Sequence, residues 1–273
     1  MTKEKKPSSE AGFEALKRLM ERLRADNGCP WDRAQTLGSL TPFIIEEAYE
    51  VVSAIDSGST EDIREELGDL LFQVVFAARV AEEADEFDVE DVIKTLIEKM
   101  VRRHPHVFGD KKADTPEEVL VHWAEIKKGE HKGGGVLSGV PEAMPALLRA
   151  HKISKKAAKA GFDWKDIEGV LDKVTEELSE FSEAIRSKDP SKVEEELGDL
   201  LFTIVNAARF LEVSPEEALR KTIGKFMRRF HHIEKSLSER GAGLSTATTE
   251  EMEGLWEEAK LREKKISEQK QKG

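Results

Sequence analysis

The chain has 273 residues, of which 38% are hydrophobic and 36% are charged, and its net charge at pH 7 is −12. This acidic balance argues against sequence-independent binding of DNA or RNA, which needs Lys and Arg to displace counterions from phosphates. The single cysteine, Cys29, excludes an intrachain disulfide and a cysteine zinc cluster. No apolar run reaches the roughly 18 residues of a membrane span, and the N-terminus has no apolar signal core. We therefore expect a cytoplasmic protein with no nucleic-acid partner and no membrane partner.

Helix-forming residues dominate the composition, and aromatic residues make up only 6% of it. We therefore expect an all-α protein with no significant β-sheet. The length allows one large domain or two domains of about 130 residues each. Three successive glycines at 133–135 are the best linker candidate. They predict an N-terminal helical domain at 1–132, a linker at 133–140 and a C-terminal helical domain at 141–273.

Capping signals predict four helices in the first half. Thr41 followed by Pro42 is typical of a helix start and predicts a helix to about residue 55. The next helix is predicted at 61–83, and a third runs from Asp88 to about residue 103, before a proline. A capping box at 115–118 begins a fourth helix.

The second half repeats this plan. Helices are predicted at about 167–186, 190–211 and 215–240, followed by a last helix that carries a tryptophan. The strongest sign of duplication is a pair of segments, EELGDLLFQVVFAAR at 65–79 and EELGDLLFTIVNAAR at 195–209, which are 130 residues apart. The sequence therefore predicts two tandem copies of one helical bundle.

Acidic residues recur at the same positions in both copies. In the first copy Glu66 and Asp69 are three residues apart, so they share one face of a helix, on a narrow strip between apolar arcs. A helix that is apolar nearly all round is expected to be buried, so its carboxylates should face the interior or a cleft. The recurring acids are Glu47, Glu50, Glu66 and Asp69 in the first copy and Glu177, Glu180, Glu196 and Asp199 in the second.

Carboxylates crowded together in this way need a compensating cation, and oxygen-only ligands suit Mg²⁺, with Mn²⁺ as a possible substitute. The alternative is that the acids only complement a helix dipole, which we accept for Glu61, Asp62 and Glu65 at the start of their helix. A di-iron carboxylate site is disfavoured because no histidine follows any of the clustered acids by three residues.

Basic and indole side chains also recur in both copies. Cations that end a helix can simply complement its dipole, and an amphipathic helix can simply bury its tryptophan. Together with the acids, however, they suggest phosphate-binding cations and an indole that stacks on a base. The candidate substrate-binding residues are Lys99, Arg103, Trp123 and Lys127 in the first copy and Lys225, Arg229, Trp256 and Lys260 in the second.

Several motifs resemble the MazG family of nucleoside triphosphate pyrophosphohydrolases. They are EEAYE (46–50), EELSE (176–180), the two EELGD segments, GCPWDRAQT (28–36), HPHVFGD (104–110) and the run GVPEAMPALLRAHKISKKAAKAGFDW (139–164). The match extends over about residues 12–262. One departure is Leu37, where the family usually has a histidine, and we assign that position no role.

The resemblance implies two tandem MazG domains of the all-α NTP pyrophosphatase fold, pairing as a homodimer. It also implies Mg²⁺ held by the recurring acids and hydrolysis of (d)NTPs to the monophosphate and pyrophosphate, which clears or regulates nucleotide pools. In such a mechanism the metal neutralises the phosphates and acidifies a water, and a spare carboxylate accepts the proton. Glu46 and Glu176 are the candidates for that helper base.

The two copies are not equivalent. Lys173 and Lys192 lie one turn before acids of the second copy, and in the family lysines at these positions contribute to the nucleotide site. Their counterparts in the first copy are Phe43 and Asp62. We therefore expect the C-terminal half to be the stronger hydrolase.

Two other functions stay open at this point. A non-catalytic helical adaptor that binds a protein or a signalling nucleotide is the main alternative, and a phosphatase that releases orthophosphate is a weaker one.

Overall fold

The computed structural model describes residues 12–130 and 135–270, which contain twelve α-helices and no strand. The all-α prediction is therefore confirmed. None of the helices in these two ranges combines the length and the apolar character that crossing a bilayer requires. The first seven helices are α1 (Phe13–Arg24), α2 (Pro30–Ala34), α3 (Leu37–Ser57), α4 (Thr60–Glu82), α5 (Val89–Arg103), α6 (Pro105–Phe108) and α7 (Pro116–Glu130). The other five are α8 (Ala146–Lys159), α9 (Ile167–Ser187), α10 (Pro190–Phe210), α11 (Pro215–Glu239) and α12 (Thr249–Lys270).

The chain divides into two compact units, Met1–His131 and Lys132–Gly273. Each unit is centred on a pair of long helices, α3 with α4 in the first and α9 with α10 in the second. A linker at 133–140 remains a proposal, and its first two residues lie outside the described ranges.

The start of α3 differs from the prediction. The helix begins at Leu37, not at Pro42, because Thr36 and Ser39 form a reciprocal capping box. The Ser39 amide donates to Thr36 Oγ1 at 3.2 Å, and the Thr36 amide donates to Ser39 Oγ at 2.9 Å. Pro42 removes one helical hydrogen bond inside the helix, but the capping box and the complete burial of Leu40 hold this first segment in place.

The basic residues at 225–229 lie inside α11 and do not end it, in agreement with the helix predicted at 215–240. In the first unit α5 ends at Arg103, and Pro105 begins the short helix α6. In the second unit the position equivalent to Pro105 is His231, and α11 continues without a break to Glu239. The cations of α11 therefore lie in mid-helix, where complementing the dipole of a helix C-terminus does not explain them.

The core of the first unit is a cluster drawn from α1, α3, α4 and α5. Its central side chain is Phe76 of α4, which is 1% exposed and packs with Met20 of α1 and Leu40 of α3. A cluster in the second unit joins α11 to α12 through Ile233, Leu237 and Leu255.

The expected burial of α4 and α10 on nearly every side is wrong for a single chain. Each helix buries one face against its partner helix and leaves a second apolar face in solvent, because each unit supplies too few helices to cover it. The exposed side chains of this second face are Leu67, Leu71 and Val74 on α4 and Leu197, Leu201, Phe202 and Ile204 on α10.

A buried guanidinium fastens α1 to the end of α4. The side chain of Arg24 is 6% exposed and that of Glu83 is 31% exposed, and Arg24 Nη2 lies 2.6 Å from Glu83 Oε2. Hydrogen bonds from Arg24 are the main reason why the pKa of Glu83 lies below its ordinary value of 4.5.

We expect Glu83→Gln to lower the free energy of unfolding by about 2 kcal/mol at pH 7, because it weakens a charge-assisted contact to a buried cation. A carboxylate with a depressed folded pKa stabilises the fold above its unfolded pKa, and this stabilisation is lost as the pH falls through the folded pKa. The difference from wild type should therefore shrink below about pH 4 in urea titrations. Glu86→Gln, at an exposed position, is the control. A difference that is the same at pH 3 and pH 7 would contradict this role of the ion pair.

Candidate active site

Three carboxylates of the second unit come together between α9 and α10. One oxygen each from Glu177, Glu196 and Asp199 lie within 4.8 Å of one another. Glu177, near the middle of α9, is only 5% exposed. Asp189 caps α10 by accepting from the Ser191 amide, and this fixes where the first turns of α10 present their acids.

The first unit has the equivalent group. One oxygen each from Glu47 on α3 and from Glu66 and Asp69 on α4 lie within 4.8 Å of one another. In both units, then, the structure brings together three of the four acids that the sequence predicted. Here α4 is capped by Ser59, which accepts from the Asp62 amide.

The fourth predicted acid of each unit, Glu50 and Glu180, lies outside these tight groups. Both side chains are exposed, yet their charges act on the group. Glu50 contributes to the raised pKa of Glu47, and Glu180 is the strongest charge acting on Glu196. Each therefore lies close enough to its group for their charges to interact.

The acids destabilise each other's charged forms. The pKa values of Glu47, Glu66 and Glu196 are raised, first by desolvation and then by neighbouring carboxylates. A divalent cation would remove this penalty, because it favours the ionised form of every ligand at once. Two helices that present only carboxylate oxygens fit a hard cation such as Mg²⁺ or Mn²⁺.

In the second unit a lysine joins the acid group. Lys173 Nζ lies 2.8 Å from a carboxylate oxygen of Glu176 and 2.8 Å from one of Glu177. The hydrogen bonds to these two acids raise the pKa of Lys173, so it stays charged near neutral pH. Its counterpart in the first unit, Phe43, packs against the hydrophobic core.

In the first unit an amide takes part in the same region. Gln73 of α4 is 8% exposed, and its Nε2 donates to Glu47 Oε1 at 3.2 Å. Its Oε1 is buried without a partner in the described part of the chain. The position equivalent to Gln73 in the second unit is Thr203. After their acids, the two repeated segments differ in a polar residue at two positions, Gln73 against Thr203 and Phe76 against Asn206. The sequence therefore contains a signal for Gln73, although no role was predicted for it.

The remaining predicted residues near the acids are exposed. Glu46 lies beside Glu47 on α3, and Glu176 keeps 57% of its side chain exposed despite its contact with Lys173. Lys192 is exposed on the first turn of α10, one turn before Glu196. Neither Glu46 nor Glu176 belongs to a group of three.

Most of the predicted cations and tryptophans form separate groups. In the second unit the Arg229 guanidinium lies 5.4 Å from the centroid of the Trp256 ring, and Arg229 Nε donates to Glu263 at 2.8 Å. Trp256 packs against the apolar cluster of α11 and α12. Lys260 pairs with Glu257 at 2.8 Å, and Lys225 is exposed one turn before Arg229. This group lies between α11 and α12, whereas the acids lie between α9 and α10.

The corresponding group in the first unit contains imidazoles. Lys127 Nζ lies 5.5 Å from the centroid of the Trp123 ring, and the ring of His104 lies 6.0 Å from that of Trp123. The indole nitrogen of Trp123 is buried without a partner among the described residues. Lys99 and Arg103 lie on the last turns of α5, beside this group in sequence. The HPHVFGD motif marked His104 as part of a family resemblance but gave it no role.

Comparison with known proteins agrees with the duplicated architecture. The model of the MazG nucleotide pyrophosphohydrolase domain matches the chain twice, at 35–108 and at 165–234. The nucleoside triphosphate pyrophosphohydrolase/pyrophosphatase MazG of Thermotoga maritima is 48% identical over 256 residues, covering 92% of this chain and 97% of that protein. The nucleoside triphosphate pyrophosphohydrolase of Escherichia coli K12 is 44% identical over 260 residues, covering 92% of this chain and 98% of that protein.

The two matches each include one complete acid group, Glu47 with Glu66 and Asp69 in the first and Glu177 with Glu196 and Asp199 in the second. The identities extend over nearly the whole length of both relatives. This chain therefore belongs to the MazG nucleotide pyrophosphohydrolase family, of which it carries two domains in tandem.

Proposed function

We propose that this protein hydrolyses nucleoside triphosphates, ribo or deoxy, to the monophosphate and pyrophosphate in a Mg²⁺-dependent reaction, and that the second unit is the stronger site. The observation that carries the proposal is the group of Glu177, Glu196 and Asp199, held by two helices beside Lys173. The two relatives, both named nucleoside triphosphate pyrophosphohydrolases, support the same reaction class.

The acid groups are the residues that would hold the cation. When bound there, Mg²⁺ supplies neutralisation of phosphate charge and acidifies a water. Glu180 and Glu50, which are exposed beside these groups, complete the sets of four oxygen-bearing side chains. Mn²⁺ has the same preference for oxygen ligands and is the expected substitute.

Two side chains of α9 have roles that do not depend on holding the cation. Lys173 fixes the carboxylates of Glu176 and Glu177 from the same side and keeps a positive charge beside the incoming phosphates. Glu176 is the helper base: its carboxylate is mostly exposed and so can accept a proton from the attacking water. Glu46 has the equivalent position in the first unit, without a lysine beside it.

The first unit is proposed to be weaker because its acid group lacks this cation. Phe43 replaces Lys173 and contributes to the core, while the neutral amide of Gln73 contacts Glu47 instead. Asp62 replaces Lys192 and adds a negative charge where the second unit has a positive one. Both changes disfavour binding of a triphosphate.

The cations and indoles are proposed to bind the rest of the substrate. In the second unit the Arg229 guanidinium lies over the Trp256 ring and Phe226 packs against that ring at a tilt, so a base would contact the part of the indole that these two side chains leave open. The full set of proposed substrate contacts is Lys173, Lys192, Lys225, Arg229, Trp256 and Lys260, with Lys99, Arg103, Trp123 and Lys127 in the first unit.

We further propose a homodimer, because the exposed apolar faces of α9 and α10 need a cover. Leu171, Leu178 and Ile185 recur every seven residues on α9, and each is about half exposed, at 52%, 53% and 53%. A seam with this period is the pattern by which helices pack against other helices. A second copy of the chain supplies the same faces and buries them symmetrically.

Nucleoside triphosphate substrates place the proposed role, clearing or regulating nucleotide pools, in the cytoplasm.

The product distinguishes this function from its alternatives. We expect incubation of the protein with a mixture of NTPs and Mg²⁺ to release pyrophosphate and nucleoside monophosphate in equal amounts, and EDTA to stop the release. Orthophosphate as the first product would instead identify a phosphatase. Nucleotide binding that needs no Mg²⁺, without hydrolysis of any NTP, would identify a non-catalytic adaptor.

A further inference from the structure

A cleft of about 630 Å³ lies in the second unit, between α8 and the C-terminal end of α10. It is lined by His151, Lys155, Ala158 and Lys159 of α8 and by Arg209 and Glu212 at the end of α10. The four α8 residues share one face of that helix, since they are spaced by four, three and one. Helix α8 lies in the run at 139–164 that resembles the family, but neither the acids nor the tryptophans of the proposed active site use it.

The cleft is separate from the acid group. Both contain residues of α10, but Glu196 and Arg209 are 13 positions apart, which is about 20 Å along a helix. The acid group therefore lies in the N-terminal half of α10, and the cleft lies at its C-terminal end.

The charge of the cleft is opposite to that of the whole chain. Lys155, Lys159 and Arg209 give it three permanent cations, and two carboxylates lie beside them, those of Glu212 and of Asp163, which pairs with Arg209, in a protein with a net charge of −12. Burial, followed by repulsion from Lys155 and Arg209, lowers the pKa of His151, so its imidazole is neutral at pH 7. A group of like charges at a concave surface concentrates anions there.

The wall of the cleft is held rigidly. Asp163 accepts two hydrogen bonds from the Arg209 guanidinium, of which the one from Nη1 is 2.9 Å long, and the Arg209 side chain is only 12% exposed. Arg209 Nε is buried without a partner among the residues described. This geometry fixes the planar guanidinium in one orientation and leaves its Nε–H able to donate a further hydrogen bond.

We propose that this cleft is a second anion site, which binds a phosphoanhydride group of two or more linked phosphates. Two lysines one turn apart on α8, with the Arg209 guanidinium on the facing helix, match a chain of phosphates better than a single compact anion, and the volume is ample for a diphosphate or a triphosphate. Inorganic pyrophosphate and the polyphosphate end of a nucleotide are the two sources of this group. The site is independent of the proposed hydrolysis, since it shares no residue with the acid group.

Isothermal titration calorimetry with pyrophosphate in EDTA tests the proposal, because binding by the acids needs a cation. We expect the double variant Lys155→Gln with Lys159→Gln to weaken binding about tenfold, since each lysine contributes a partly screened contact. The matched control is Lys221→Gln with Lys235→Gln, which removes the same charge from exposed positions on α11. This control should bind pyrophosphate as wild type does.

Competition with a nucleoside triphosphate identifies the source of the phosphoanhydride group. Displacement of pyrophosphate extends the site to nucleotides, and no displacement restricts it to the free anion.

The imidazole provides a second readout. Pyrophosphate in the cleft should raise the pKa of His151 in NMR titrations, because the anion offsets the charges of Lys155 and Arg209 that lower it, whereas the charges of Glu212 and Asp163 are unchanged. The double variant should keep its basal NTP hydrolysis, so loss of binding and loss of catalysis are distinguishable. Equal affinities for the cleft variant and the control would overturn the proposal. Orthophosphate that binds as tightly as pyrophosphate, or no binding of pyrophosphate at all, would also overturn it.

Discussion

Replacing Glu177 with glutamine is expected to lower turnover of NTPs by about a hundredfold or more, whereas Glu47→Gln lowers it far less. Glutamine keeps the size of the side chain but removes one negative charge from a group of three, and losing several kcal/mol of cation-dependent stabilisation corresponds to at least two orders of magnitude in rate. Glu177 is also 5% exposed and paired with Lys173, so no water or neighbouring acid readily takes its place.

The comparison of the two variants tests the asymmetry between the units. The two substitutions fall at equivalent positions of α9 and α3, so they should disturb folding to a similar extent. Thermal unfolding checks that both variants remain folded. Single-turnover rates and steady-state rates should show the same order. Equal losses, or a larger loss for Glu47→Gln, would contradict the proposal that the second unit is the stronger site.

Two negative charges on the open face of α10 are expected to convert the protein to a monomer. Leu201 and Ile204 are 46% and 45% exposed in the single chain and lie on the same helical face. In the proposed dimer this face is buried, so Leu201→Glu with Ile204→Glu would place unpaired carboxylates in an apolar interface and weaken association by more than about a hundredfold.

Light scattering coupled to size exclusion measures the effect. Wild-type protein should have twice the mass of one chain, and the double variant the mass of one chain. Leu120→Glu is the control, because Leu120 is 62% exposed on α7 of the first unit and belongs to neither helix of the proposed interface. A wild-type monomer would contradict the dimer, and a dimeric double variant would show that copies associate through another face.

Features with local sequence signals could be predicted well. The helix starts at Asp88 and Ser214 follow from capping residues and match the structure, and the pairing of Glu66 with Asp69 follows from helical spacing. The start of α3 could not be predicted in this way, because Thr41 and Pro42 form a strong local signal that a better capping box, five residues earlier, overrides. Helices α1 and α8 were not assigned, although both are amphipathic.

Contacts between helices could not be predicted from the sequence repeat. The repeat predicts that four acids recur, but only the packing of α3 on α4 shows that Glu50 lies outside the tight group and that Gln73 contacts Glu47. Similarly, the spacing of Lys173 predicts that it can reach the acids, and the structure identifies Glu176 and Glu177 as its partners. The same limit applies to α4 and α10: their apolar arcs predict burial, whereas one apolar face of each helix is exposed in the single chain.

The acids of the second unit are proposed to hold a divalent cation together with the phosphates of an NTP. The most direct measurement is a crystal structure with Mn²⁺ and a non-hydrolysable NTP, in which the anomalous signal of manganese locates the ion. The proposed function predicts a manganese peak bounded by Glu177, Glu196 and Asp199, with the triphosphate beside it and within reach of Lys173. Manganese and nucleotide found only at Glu47, Glu66 and Asp69, or a triphosphate bound away from both acid groups, would contradict it.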